Sequence, residues 1–229
     1  MGKKIYITEG QFKGVFGESI LDEMAYPSTW NIDTFKGINS FNGRVKYCEQ
    51  HLKRLSSGSS RIVYQIDDEK VLKLAKNNKG IAQNSNEGDY YLQNNELFAK
   101  VFDRDREGLW IEMELANKAK PSDFKRITGY DFTMIKEFIT YIGNRFSRYN
   151  RSINEKYISF FESEEFIEMC YDGDNIFSNI MSYMEDYALG SFGDLQRISS
   201  WGIVKRNGED ALVLIDFGLT NDTYDRYYR

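Results

Sequence analysis

Five positions in this 229-residue chain have types and an order that suit one chemistry. Gly58 lies in the small-residue run "SSGSS", ahead of two strand-like runs, "RIVYQID" and "VLKLA". Lys73 sits in the second of these, and Glu87 follows fourteen residues later in "IAQNSNEGDYYLQ". Asp194 follows a glycine after long helical stretches, and Asp216 ends the apolar run "ALVLID" just before Phe217-Gly218. Phosphoryl transfer from ATP needs these parts. A backbone-lined loop covers the phosphates and a lysine neutralises them. A helix carboxylate holds the lysine, one aspartate orients the acceptor, and a second holds Mg²⁺. Singly, each has a plainer reading: a solvated strand face for Lys73, helix surface for Glu87, an N-cap for Asp194, a strand cap for Asp216, a linker for Gly58. Their conjunction favours a site.

Such a site needs elements to hold it. Alternating residues predict a hairpin over 61–75, and "ELFAKVFDRDREGLWIEMELA" predicts a second one turning at 104–108. Residues 81–93 predict a helix inserted between them, giving a lobe of four strands and one helix. Beyond Pro121 the spacing is helical. Phe132, Ile135, Ile139, Ile142 and Phe146 share one face over 132–149, and "EKYISFFESEEFIEMCYD" and "NIFSNIMSYMEDYAL" repeat the pattern. "WGIVKRNGEDALVLID" predicts a third hairpin with its turn at Asn207-Gly208. At the start, "KKIYIT" predicts a strand, and Val45, Cys48, Leu52 and Leu55 predict an amphipathic helix over 43–55. The expected organisation is an amino-terminal helical extension (1–55), a small β-rich nucleotide-binding lobe (56–120) and a helical lobe (121–229). The expected fold class is α+β and two-lobed, with a small antiparallel-sheet lobe and a truncated helical lobe.

Composition narrows the partners. Thirty basic and 35 acidic residues give a net charge of −5, which argues against general nucleic-acid binding. No apolar run reaches the 18 residues of a membrane span. Cys48 and Cys170 match no metal-binding spacing, and no apolar signal segment opens the chain, so reduced thiols in a cytoplasm are expected.

The runs "SGSSRIVYQIDDEKVLKLAKNNKGIAQNSNE", "GDLQRISSWGIV" and "LVLIDFGLT" resemble small kinase-like proteins encoded by bacteriophages, distant members of the protein-kinase-like superfamily. The resemblance covers roughly residues 56–220. It implies ATP and Mg²⁺ bound between two lobes, under a loop of Gly58, Ser59 and Ser60. Lys73 matches the phosphate-binding lysine, Glu87 its helix partner, Asp194 the catalytic-loop aspartate and Asp216 the magnesium ligand. "MELA" (113–116) matches the hinge, where the backbone of Glu114 and Ala116 would meet adenine. A phage origin implies the host cytoplasm or the virion as the location.

The departures from that pattern matter. Gly193 stands directly before Asp194, where a histidine is usual, and Ser199 replaces the asparagine that holds a second magnesium. Only eleven residues follow Gly218, leaving no expected platform for a peptide substrate. Two functions are therefore carried forward. One is an ATP-dependent phosphotransferase acting on an unidentified acceptor. The other is a catalytically degenerate pseudokinase, working as a phage scaffold or through one docked protein partner or self-association.

Overall fold

The computed structural model describes residues 29–89, 95–146, 151–173, 175–186 and 192–227. The chain divides into two compact units, residues 1–54 and 55–229. In the first, Asn31 caps helix α1 (Ile32–Lys36) by accepting from Thr34 N, and Ser40 caps α2 (Phe41–His51) by accepting from Gly43 N. Arg44 Nε donates to Ile38 O at 2.7 Å and fixes the link between the two. The predicted opening strand lies outside the described residues. The helix predicted to reach Leu55 ends at His51, because Leu52 is already extended (φ −131°, ψ 155°) and strand β1 (Lys53–Ser57) follows. Leu52 and Leu55 are three apart, a spacing that a helix and a helix-to-strand junction satisfy equally.

A five-stranded sheet follows, one strand more than the sequence predicted. Its strands are β1, β2 (Arg61–Gln65), β3 (Lys70–Ala75), β4 (Val101–Arg104) and β5 (Trp110–Glu114), in the order β1-β2-β3-β5-β4. The β2–β3, β3–β5 and β4–β5 pairs are antiparallel. Helix α3 (Asn78–Glu87) is inserted after β3 and capped by Asn77. It ends earlier than predicted, at Gly88, whose N–H closes onto Asn84 O; residues 90–93 of the predicted helix lie outside the described residues.

A three-stranded sheet follows, built from β6 (Asn117–Lys118), β7 (Trp201–Arg206) and β8 (Glu209–Leu214). The β7–β8 hairpin turns at Asn207 (φ 54°) and Gly208 (φ 86°), both left-handed, which is why that dipeptide marks the turn. Between β6 and β7 lie α4 (Pro121–Thr128), α5 (Phe132–Phe146), α6 (Glu155–Phe161), α7 (Glu164–Asp172), α8 (Ile176–Asp186) and the short α9 (Phe192–Leu195). Pro121 opens α4 at a position that needs no amide donor. The run "EKYISFFESEEFIEMCYD" forms two helices, because Ser163 accepts from Phe166 N and starts the second. Helix α10 (Asn221–Tyr227) ends the described chain.

One apolar core runs from Val71, Ile111 and Met113 of the larger sheet, through Phe98 and Phe217, to Phe138, Ile139, Phe177 and Ile180 of the helices. Burial of such side chains contributes roughly 1.5–3 kcal/mol each. The architecture is α+β, with an antiparallel-sheet lobe and a helical lobe, as the sequence predicted. No helix among the described residues is long and apolar enough to cross a membrane.

Candidate active site

Strand pairing sets up the site. Val63 of β2 lies opposite Lys73 of β3, and Arg61 opposite Ala75. Directly paired residues share a face and the side-chain period is two, so Arg61 and Lys73 project from the same side of the sheet. Helix α3 covers that side with an unusual face. Its buried residues are Gly80, Gln83, Asn84 and Glu87, an i, i+3, i+4, i+7 stripe that is polar instead of apolar. A Cβ at Gly80 would overlap the Ser60 carbonyl, so glycine lets the start of α3 approach the loop.

Every polar group on this stripe is met. Ser60 Oγ donates to Gln83 Oε1 at 2.7 Å. Asn84 Nδ2 donates to Lys73 O at 3.3 Å and to Gly108 O at 2.9 Å, while Asn84 Oδ1 accepts from Arg61 Nη1 at 3.3 Å. Glu87 is fully buried. Its Oε2 lies 2.7 Å from Lys73 Nζ and 2.7 Å from Arg61 Nη1. Its Oε1 accepts from Phe217 N and Gly218 N, each at 3.3 Å.

The Asp216-Phe217-Gly218 turn is thereby locked to α3. Lys73 Nζ also donates to Ile215 O at 2.5 Å, and Arg61 Nη2 meets Asp216 Oδ1 at 2.5 Å. Asn86 Nδ2 reaches Gly218 O, Thr220 Oγ1 and Thr223 Oγ1 at 2.8–3.1 Å, tying α10 to the same helix. A side chain at Gly218 would overlap the Gln83 backbone, so the close approach requires glycine there. The order of parts (sheet, inserted helix, linker, helices, hairpin, turn) is the one the kinase-like resemblance implies.

The charges shift one another. Burial works against the Glu87 carboxylate, yet Arg61 and Lys73 outweigh it and hold its pKa down at about 2. Burial likewise opposes the Arg61 charge, which Glu87 and Asp216 hold above its ordinary value. Burial, helped by the neighbouring Arg61 charge, pulls the Lys73 ammonium below its ordinary value despite Glu87. Asp194, on α9, is pushed up to about 6 by burial and then by the charge of Asp216. It is oriented from below: Leu195 is buried in the core, Trp201 Nε1 donates to Leu195 O at 2.9 Å, and Gln196 Nε2 donates to Thr140 Oγ1 at 2.8 Å. Arg197 Nη1 stands 3.4 Å from Asp194 Oδ1.

The remaining predicted residues fall as follows. Gly58, Ser59 and Ser60 form a tight turn in which Gly58 N donates to Arg61 O. Lys76 Nζ donates to Gly58 O and Asn77 Nδ2 to Ser59 O, so the loop is tied to the start of α3. Ser60 is buried against Gln83. Glu114 ends β5, paired with Lys70, and Ala116 lies in the link from β5 to β6. The Glu114 carboxylate accepts from Arg206 Nη2 and Lys100 N, each at 3.1 Å, and Leu115 N donates to Glu69 O. Ser199 is exposed on the turn before β7, and its buried neighbour Ser200 accepts from Ile215 N at 2.8 Å.

Sequence reasoning missed Arg61. It was read as one residue of a strand, although counting back two positions from Val63 puts it on the Lys73 face. This residue also bears on the expected metal. Asp216 is half-exposed but one of its oxygens already holds a guanidinium, and no group of three or more His, Cys, Asp or Glu among the described residues is placed to hold a metal ion. With Arg61 where it stands, Asp216 and Ser199 do not fit a divalent cation.

No family model matches the chain, and no curated protein matches it. Among solved structures it is similar to the streptomycin–ATP ternary complex of APH(2'')-IIa, at 11% identity and a TM-score of 0.33. It is similar also to ADP-bound aminoglycoside phosphotransferase APH(2'')-Ib, at 17% identity and a TM-score of 0.34, and to the gentamicin complex of APH(2'')-IIa, at 15% and 0.33. Each match covers 79% of this chain and 71% of the other.

Proposed function

We propose that this chain is a kinase-like nucleotide-binding protein of the phosphotransferase type, which takes ATP beside β2, β3 and the Asp216 turn. The observation that carries this is the buried Lys73–Glu87 pair, fixed against the backbone of residues 215–218. Holding a lysine charge in a dry place is costly unless it is paired, and a lysine so placed beside an aspartate-bearing turn suits phosphate oxygens. In this reading Lys73 neutralises the phosphates, Glu87 holds Lys73, and the segment 114–116 meets the base. Asp194 takes the acceptor's proton: with a pKa of about 6 it is mostly ionised at neutral pH yet basic enough to accept one. Catalysis would be positioning and charge stabilisation.

The acceptor is a small molecule, the chain itself or one docked macromolecule. A phage origin, and with it a host-cytoplasmic or virion location, rests on the quoted sequence runs alone.

A second reading, a pseudokinase, is favoured by the Arg61–Asp216 contact, which engages the aspartate that transfer would use. One experiment separates them. Thermal-shift titration with ATP should give a saturable rise in melting temperature for wild type, since a ligand bound only by the folded state stabilises it by roughly 2.7 kcal/mol at a hundred times Kd. Lys73→Met should abolish the rise, whereas Asp194→Asn should keep it while removing any transfer from γ-labelled ATP. Binding without transfer selects the pseudokinase; no rise under any condition rejects the nucleotide reading.

A further inference from the structure

We propose that Arg61 is the built-in counter-cation of this site. Its guanidinium stands at Asp216 where a divalent metal would otherwise stand, so the site takes a nucleoside triphosphate without recruiting a metal. This rests on the nucleotide reading above and adds the form of the ligand.

Four observations carry it. Arg61 is the first residue of β2, directly after the Gly58–Ser60 turn, and only 8% of its side chain is exposed. Its guanidinium is held on three sides, by Glu87 at 2.7 Å, Asp216 at 2.5 Å and Asn84 at 3.3 Å. Asn84 is itself pinned to Lys73 O and Gly108 O, so the guanidinium cannot swing away without breaking a buried network. Within this line of four the charges cancel: Lys73 and Arg61 are positive, Glu87 and Asp216 negative. Placing a divalent cation on Asp216 would set two further positive charges against a guanidinium that keeps its proton at every accessible pH.

Asp216 has 57% of its side chain exposed, which marks the side from which phosphates would approach. The guanidinium lies on the buried side of that carboxylate and cancels its charge there, lowering the repulsion an approaching phosphate would otherwise meet. Arg61 thus supplies from within the fold the positive charge at Asp216 that a metal would otherwise bring.

The test uses the full chain and two probes. Free Mn²⁺ is followed by its paramagnetic resonance signal, without nucleotide. Wild type should leave the signal unchanged. Arg61→Gln, in which Glu87 keeps Lys73, should bind Mn²⁺, and Arg61→Gln with Asp216→Asn should lose it again. ATP binding is then measured with Mg²⁺ and with a chelator. The wild-type Kd should agree within about threefold between the two conditions, whereas Arg61→Gln should need the metal by tenfold or more, about 1.4 kcal/mol. Wild-type Mn²⁺ binding that Asp216→Asn removes, or wild-type ATP binding lost on chelation, overturns the proposal, and neither result depends on a variant of Arg61 folding. If ATP binds under no condition, the nucleotide reading fails, while the Mn²⁺ titration still decides whether Arg61 excludes a metal.

Discussion

Arg61 Nη2 and Asp216 Oδ1 stand 2.5 Å apart across 155 positions of chain. That contact closes a line of charge running Lys73–Glu87–Arg61–Asp216, three members of which are buried. Most of what can be tested about this protein follows from that line.

Glu87 faces both cations, so Glu87→Ala leaves two buried positive charges without their shared partner. The expected loss is about 3–5 kcal/mol of unfolding free energy, measured by urea denaturation. Lys73→Met should cost less, because Glu87 keeps Arg61 and the two backbone donors. A Glu87→Ala loss below about 1 kcal/mol, the size of a solvated pair, would show that the network is not dry.

Acid should dismantle the same network. The Glu87 pKa is lowered from an ordinary 4.5 to about 2. Its contribution is therefore present above pH 4.5 and is lost as pH falls through that window toward 2. Melting temperature should drop steeply over this range in wild type and less steeply in Glu87→Gln. Equal slopes would contradict the buried pairing.

Asp194 runs the other way. Its pKa is raised from 3.8 to about 6, so the folded state keeps a proton that the unfolded chain has released. That contribution is full below pH 3.8 and is lost as pH rises through 6. The melting temperature of Asp194→Asn, measured against wild type, should therefore gain between pH 4 and pH 7.5. A constant difference would remove the case for a perturbed carboxylate.

Two glycines provide a paired test of packing. A Cβ at Gly218 would overlap the Gln83 backbone, whereas a Cβ at Gly193 meets nothing within 4 Å. Gly218→Ala should cost roughly 1–3 kcal/mol, and Gly193→Ala should stay within about 0.5 kcal/mol of wild type. Calorimetry on both variants checks the contrast, and equal effects would mean that α3 is not held against the turn.

Both cysteines should be chemically quiet. Burial, then the charge of Glu49, pushes the Cys48 thiol to about 12, and burial pushes Cys170 to about 11. Ellman's reagent at pH 8 should react slowly with the native protein and rapidly with both thiols in denaturant, since the thiolate is the reactive form. Fast native labelling of either would show that its surroundings open.

The parts of the fold set by side-chain periodicity were legible: the 61–75 hairpin, the Asn207-Gly208 turn, and the helix through Ile135, Ile139 and Ile142. Where a different force decides, the sequence reading went astray. Leu52 and Leu55 fit a helical step, yet backbone pairing takes residues 53–57 into the sheet. The single apolar rhythm of 155–172 hides the Ser163 cap that divides it. At the site, Lys73, Glu87 and Asp216 stood out because an order of parts singles them out. Arg61 did not, since its role comes from parity with Lys73 across a strand pair and from a helix that buries amides and a carboxylate. A search tuned to apolar faces passes over such a stripe.

The spread of this charge line along the chain also dictates how the molecule assembles. Lys73 and Glu87 are near neighbours, but Arg61 meets Asp216 only after the final hairpin is in place. Until then the sheet and α3 hold two cations against one carboxylate, and the Glu87 oxygen that serves Phe217 and Gly218 has no backbone donors. Drying that interface early would strand an uncompensated charge. The charge balance of the larger sheet therefore depends on a contact 155 positions away, the kind of distant pairing that slows folding. Neither end of the charge line is balanced until residues 61 and 216 are both in place.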